Sequence, residues 1–308
     1  MRKTGLFAKY PGRWAEREVY EAYLWDKLEA AYEGTLKMGM GYDGSRSQFF
    51  RRVEAEFLTR KVSVQETVND WLTVEYVAAE VPDPPALIKG ILAACDEIAK
   101  RLDWQHGPKV MVTVLAEDTN APWLPGRFGV FLDKYPYDKI CIPLNSTFDP
   151  SSLHAVIIHE YAHEIVLDLT QGHAPRWLNE MVAKIAEGGP RRDIAAKFAN
   201  GQLKWLDPRG LDLEYVEEAE DRARRNLANA YEQSACIGAY LVDLKGERYL
   251  AELLKDFRPA SVWKELLIRA FNRRPSDEAL RRAYGMGERE IFSRALDWLQ
   301  KGTPKLSS

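Results

Sequence analysis

Two histidines four residues apart with a glutamate between them, His159-Glu160-Tyr161-Ala162-His163, are the part of this sequence best suited to chemistry. Asp149 and Pro150 upstream read as an N-cap and a first-turn proline, and Gly172 downstream reads as a stop, so one helix is predicted over about residues 151–169. At about 100° per residue, positions four apart differ by roughly 40° around the axis and one turn along it. Both imidazoles therefore face one point in space, and neutral imidazoles reach a zinc ion at about 2.0–2.1 Å. Glu160, about 100° further round, is badly placed as a ligand but can reach a water held on the metal. Zinc lowers the pKa of bound water from roughly 15.7 to about 7. A carboxylate in that position can act as general base at neutral pH and later pass the proton to a leaving amine.

A hydrolytic zinc site needs a third protein ligand and one open position. Glu180, in Pro175-Arg-Trp-Leu-Asn-Glu180-Met-Val-Ala, is the candidate. Pro175 suits a first turn, and Trp177, Leu178, Val182 and Ile185 give this second helix an apolar face that docks on the first and turns Glu180 inward. The connection over residues 170–174 is short enough for an antiparallel helix pair.

These residues resemble a known family. His159-Glu-Tyr-Ala-His163 followed by Trp177-Leu-Asn-Glu180, with Ala183 after it, is similar to the gluzincin zinc metallopeptidases, specifically the aminopeptidase-N-like branch of the peptidase MA clan, whose pattern is HExxH with a downstream W-L-x-E-G-x-A segment. The resemblance runs over about residues 72–257. It implies one zinc ion held by His159, His163 and Glu180, with Glu160 as base and a peptide or protein as substrate. It also implies a catalytic role for Tyr231. In related enzymes a tyrosine in a Tyr-x-Lys-Gly segment opening a later helix hydrogen-bonds the tetrahedral intermediate, and Tyr231-Glu-Gln-Ser234 stands at the corresponding point. A neutral phenol aimed at a developing oxyanion contributes about 10²–10³ in rate. Three departures matter. Met181 stands where the family has glycine, which is expected to narrow the floor of the site. No Gly-x-Met-Glu-Asn segment precedes the zinc helix, so the family's usual grip on a free amino terminus is missing. Lys184 stands where the thermolysin-like branch carries aspartate. In zincin folds the strand nearest the cleft pairs with extended substrate, which here is residues 128–133 or 140–143.

The elements that must position these groups follow from periodicity. Apolar residues recur at helical spacing over about 14–32 and 49–60, so the first 70 residues read as helical. Leu72-Thr-Val-Glu-Tyr-Val alternates as a strand, and the Pro82, Pro84, Pro85 cluster marks the clearest break. An amphipathic helix is predicted over 87–102, a strand from 110 to about 117, and a strand pair at 128–133 and 139–143 around a turn at 134–138. Helices are predicted over 231–244, 247–257, 262–271 and 288–299, with Gly246, Pro259 and Pro275 as punctuation. The expected fold class is α+β: a zincin-like catalytic domain, with a small mixed β-sheet and an active-site helix, over 71–205. A helical C-terminal subdomain over 206–308 contributes Tyr231, and a helical segment over 1–70 precedes both.

With 308 residues and 46% hydrophobic composition, the chain can bury a sizeable core. A formal net charge of -3, with basic residues spread along the chain, offers no footprint for nucleic acid or an anionic membrane. Cys95, Cys141 and Cys236 are far apart and read as buried reduced thiols. No secretory signal or membrane-spanning run is seen, which points to a cytoplasmic protein. His154 reads as a surface or packing residue and His173 as a loop histidine; His106 suggests no role. Trp123 lies near the presumed cleft rim, and Arg191-Arg192 and the 222–225 run read as solvated faces. The expected function is a zinc-dependent peptidase. Two alternatives stand beside it: a catalytically silent zincin-fold binding or regulatory module in which Met181 blocks the subsite, and a zinc hydrolase of a non-peptide amide or ester.

Overall fold

The computed structural model of the chain describes residues 64–107, 110–115, 130–132, 138–144, 149–170, 173–191, 193–215, 227–257 and 275–301. The helices expected over 14–32, 49–60 and 262–271 lie outside the described residues, as do the residues 134–137 of the expected turn, Trp123, Gly172, Arg192 and the 222–225 run. Chain contacts divide what is described into two compact units, residues 64–96 with 106–160 and residues 97–105 with 161–301.

The first unit carries a five-stranded mixed sheet of β1 (Val64–Thr67), β2 (Leu72–Tyr76), β3 (Val110–Leu115), β4 (Val130–Leu132) and β5 (Asp138–Pro143), in the order β1-β2-β3-β5-β4. Strands β2, β3 and β5 run parallel, and each edge strand pairs antiparallel with its neighbour. Every residue of β3 is buried, as are Leu72, Thr73 and Val74 of β2, so the sheet centre is covered on both faces. Thr113, whose hydroxyl donates to the Glu75 carboxylate at 2.9 Å, meets that burial with a cross-strand bond.

Strand β1 falls within the last residues expected to be helical. Its side chains are mostly exposed, so no apolar periodicity marks it. Asn69 makes the hairpin instead: its side-chain oxygen accepts from the Trp71 and Leu72 amides at 3.1 and 2.8 Å, closing the turn into β2. The proline cluster likewise opens a helix rather than marking a break. Asp83 caps α1 (Pro84–Arg101) by accepting from the Ala86 amide at 3.0 Å, and the prolines occupy a first turn that needs no amide donor.

Helix α2 (Pro150–Thr170) covers the helix predicted around the two histidines. Asp149 caps it, accepting from the Ser152 amide at 3.0 Å and from the Ser151 and Ser152 hydroxyls at 2.6 and 2.7 Å. Those hydroxyl and amide bonds hold the Asp149 carboxyl down to about 2, from an ordinary value of 3.8. The units divide after Asp96 within α1 and after Glu160 within α2, so both helices continue from one unit into the other.

The second unit is helical: α3 (Arg176–Glu187), α4 (Ile194–Ala199), α5 (Pro208–Glu214), α6 (Leu227–Lys245), α7 (Arg248–Lys255), α8 (Pro275–Tyr284) and α9 (Glu288–Gln300). Helix α6 begins one turn before the predicted start. The short helices α4 and α5 carry too few turns for a periodic signal. Pro275 is the first residue of α8 rather than a break, with Asp277 and Glu278 following it in the first turn, where they complement the helix dipole. Cys95, Cys141 and Cys236 are buried thiols outside any disulfide; burial first, then the Glu232 charge, pushes the Cys236 thiol up to about 12. Among the described residues no helix is long and apolar enough to cross a membrane.

Helices α3 and α6 approach each other closely over Gly238 of α6. A Cβ there would come within 2.5 Å of Ile185 Cγ1 and 2.8 Å of Met181 Cγ on α3. Gly238→Ala is expected to cost about 1–3 kcal/mol through overpacking, read as a lower urea midpoint at unchanged slope; a neutral substitution would show that α3 shifts freely. For Asp149 the sign is that of a depressed carboxyl. The unfolded chain takes up the proton first as pH falls, so the cap stabilises above about 3.8 and its contribution is lost towards pH 2. The stability difference between the parent protein and Asp149→Ala should therefore be present at neutral pH and close over that window in acid unfolding curves.

Candidate metal centre

His159 and His163 stand one turn apart on α2, and Glu180 is the fifth residue of α3. One ligand atom from each lies within 4.8 Å of the other two. Between His163 Nε2 and Glu180 Oε2 the distance is 3.7 Å. Donors placed tetrahedrally at about 2.0–2.1 Å from a zinc ion are about 3.3 Å apart, so small side-chain rotations complete the set. His159 and Glu180 are only part-buried, which leaves the cluster accessible for a further ligand.

The surroundings of His163 also fit a metal. Its Nδ1 is 3.0 Å from Asn179 Oδ1, and an amide oxygen accepts, so in the neutral ring this contact puts the proton on Nδ1 and the lone pair on Nε2, the atom that faces Glu180. Asn179 was legible only as the residue before Glu180 in the downstream segment, with no role attached to it. The signal was its position: an amide adjacent to a helical ligand can reach an imidazole of the facing helix.

Helix α3 is held at three places. Trp177 is fully buried, its indole N–H donates to Glu288 Oε1 at 3.1 Å, and its ring meets Phe292 edge-on at 5.1 Å between centroids. Glu288 is itself buried in the first turn of α9, where the helix dipole favours a carboxylate. At the other end of α3, the Arg101 guanidinium donates to the carbonyls of Ala186 and Ile185 at 2.8 and 3.3 Å and to Glu247 at 2.8 Å. A cation on the last carbonyls complements the dipole there. Along its middle α3 packs on α6 over Gly238. Met181, expected to narrow the site's floor, is fully buried, with its Cγ close to Gly238 of α6. Lys184 pairs with Glu187 at 2.6 Å on the surface of the same helix.

Helix α2 is steadied in its second half by Trp104, which donates to Asp168 at 2.7 Å and meets Tyr161 edge-on. Glu160 lies beside His159 on α2 and is buried. Tyr231 is half-buried on α6, with its ring edge-to-face against Tyr215 at 5.5 Å between centroids. Burial, and then the nearby Glu180 charge, pushes the Tyr215 phenol well above its usual range, so it stays neutral. Tyr215 carries no motif and was invisible in the sequence.

The remaining histidines stand apart from this cluster. His173 Nδ1 is 3.2 Å from the Thr170 carbonyl at the end of α2, and His106 stacks on Trp71 at 3.7 Å with Nε2 on Asp96 at 2.8 Å. Neither His173, His106 nor His154 joins the three-residue set among the described residues.

No protein-family model matches the chain, and no curated protein does. Among solved structures, a crystal structure of an M1 zinc metallopeptidase variant from Deinococcus radiodurans is similar at 14% identity with a TM-score of 0.37, covering 80% of this chain. The chain spans about half of that protein's length, at 53%.

Replacing Asn179 with alanine frees His163 to rotate and to change tautomer. Zinc affinity, measured by competition with a chromophoric chelator, is expected to fall about 10–100-fold with one site per chain retained. Unchanged affinity would remove Asn179 from the site.

Proposed function

We propose that this protein is a zinc-dependent peptidase that binds one zinc ion through His159, His163 and Glu180 and uses Glu160 as general base. The observation that carries the proposal is the convergence of two imidazoles and one carboxylate, donor atoms within 4.8 Å, around a helix that also presents a buried glutamate beside the first histidine.

Zinc bound there would polarise a substrate carbonyl and acidify a water molecule to a pKa of about 7. The rest of the chemistry belongs to the chain. Glu160, on the turn between the two histidines, takes the proton from the attacking water and returns it to the leaving amine, a role worth about 10²–10⁴ in rate. Asn179 keeps the Nε2 lone pair of His163 on the ligand side of the ring. Tyr231, as a neutral phenol, donates a hydrogen bond to the oxyanion that develops on the substrate carbonyl. Its neighbourhood supports that role, since Tyr215 touches its ring and also feels the Glu180 charge.

Sheet order bears on substrate docking. Of the two stretches open to strand addition, β5 lies between β3 and β4, whereas β4 is the edge among the described strands. An extended peptide gains main-chain hydrogen bonds only along a free edge, so β4 is the better candidate. The burial of Met181, with its Cγ close to Gly238 of α6, supports the peptidase reading over a catalytically silent module.

Elemental analysis and a mixed-peptide digestion read by mass spectrometry test the proposal. The expected result is one zinc per chain and cleavage abolished by a chelator. In Glu160→Gln the zinc should remain while turnover falls by about 10²–10⁴. Hydrolysis retained in that variant would remove Glu160 from the mechanism, and zinc without chelator-sensitive cleavage would overturn the peptidase reading.

A further inference from the structure

Tyr215 caps the C-terminus of α5 and is 6% exposed, yet it touches two of the three helices that carry the proposed machinery, α3 and α6. Its hydroxyl is 3.1 Å from Ser234 Oγ in a buried pair, and its ring meets the Tyr231 ring at 75° with centroids 5.5 Å apart. Its backbone carbonyl accepts a hydrogen bond from the Arg176 guanidinium. Tyr231 and Ser234 are three apart on α6 and so are neighbours on one helix face. Arg176 opens α3, one turn before Glu180 and on the same side of that helix. Tyr215 thus lies across the Tyr231 face of α6 while its main chain is fastened to the first turn of α3.

The segment that delivers Tyr215 is fixed as well. The Asn229 side-chain amide accepts from the Lys204 amide and donates to the Lys204 carbonyl, at 2.7 and 2.9 Å. Gln233 does the same for Leu206, at 2.8 and 2.7 Å. Asp207 then caps α5 by accepting from the Gly210 amide at 2.8 Å. The run from Lys204 to Tyr215 is therefore tied to α6 at both of its ends, through Asn229 and Gln233 at one and Ser234 at the other. A half-buried tyrosine on a helix face has more than one staggered χ1 setting open to it unless a neighbour excludes the others. The Tyr215 ring edge is such a neighbour.

We propose that Tyr215 is a positioning residue that holds the Tyr231 side chain in one orientation relative to the α3 turn bearing Glu180. The proposal rests on the role given to Tyr231 in the peptidase reading, but the orientation itself can be measured without turnover.

The test uses the full-length chain and the substitutions Tyr215→Leu, Tyr215→Phe and Tyr231→Phe, with Tyr215→Met standing in if the leucine variant does not fold. With 3-fluorotyrosine incorporated, the Tyr231 fluorine resonance is identified by its loss in Tyr231→Phe. A single narrow line is expected for the parent protein and for Tyr215→Phe, with and without zinc. In Tyr215→Leu that line should broaden and move towards the position of solvent-exposed fluorotyrosine. An unchanged line overturns the proposal whether or not the protein proves to be a peptidase. In peptide hydrolysis, Tyr215→Leu is expected to lower kcat about tenfold with KM within about twofold, to be rescued by Tyr215→Phe, and to have almost no effect in a Tyr231→Phe background. An equal loss in both backgrounds would make Tyr215 a merely structural residue and would also overturn the proposal. Absence of hydrolysis in the parent protein would count against the peptidase reading alone and leave the fluorine result to decide.

Discussion

Two side chains on one helix and a third on another can meet at a point only if the helices are held at a fixed height and rotation. Slipping α3 by one residue would turn Glu180 about 100° away and present Asn179 or Met181 in its place. Much of what surrounds the candidate centre reads as a response to that constraint. The N-terminal turn of α3 is fixed by the bond from Trp177 to Glu288, its C-terminal carbonyls by Arg101, and its flank by the close approach over Gly238. Each restraint comes from a different helix, so no single motion of a neighbour releases Glu180.

These restraints use polar groups where apolar packing would be cheaper. Glu288 is a buried carboxylate, acceptable because it sits at a helix N-terminus and accepts the Trp177 indole proton. Arg101 divides its guanidinium between two carbonyls and Glu247. Directional bonds of this kind set the rotation of a helix about its own axis, which non-directional hydrophobic contact does not do well. The same logic extends to the ring of His163, whose orientation and proton are both set by the Asn179 amide.

The sequence made the chemical centre more legible than its supports. His159, Glu160 and His163 share a helix, so their relation follows from helical geometry alone, and the apolar face of residues 177–185 was enough to expect Glu180 to turn towards them. The central strands announced themselves through Val110, Val112 and Val114. What stayed hidden depends on long-range pairing or on side-chain capping. Strand β1 has mostly exposed side chains and is made by its Asn69 turn and its pairing with β2. The prolines at 84 and 85 read as a boundary between segments because a first-turn proline and a helix-ending proline read alike until the cap is seen. Nothing in a linear motif tells which residue faces Met181 across the helix pair; that residue is Gly238, more than fifty positions away. Glu288, Arg101 and Tyr215 act on the site from distant segments, and no local spacing could name them.

X-ray absorption at the zinc edge of the loaded protein reads whether His159, His163 and Glu180 together hold one zinc ion. Nitrogen and oxygen neighbours at about 2.0–2.2 Å, outer-shell scattering from two imidazoles, and no sulfur at about 2.3 Å are the expected result. A spectrum with one imidazole or none, or with zinc held by cysteine sulfur, would contradict that ligand set.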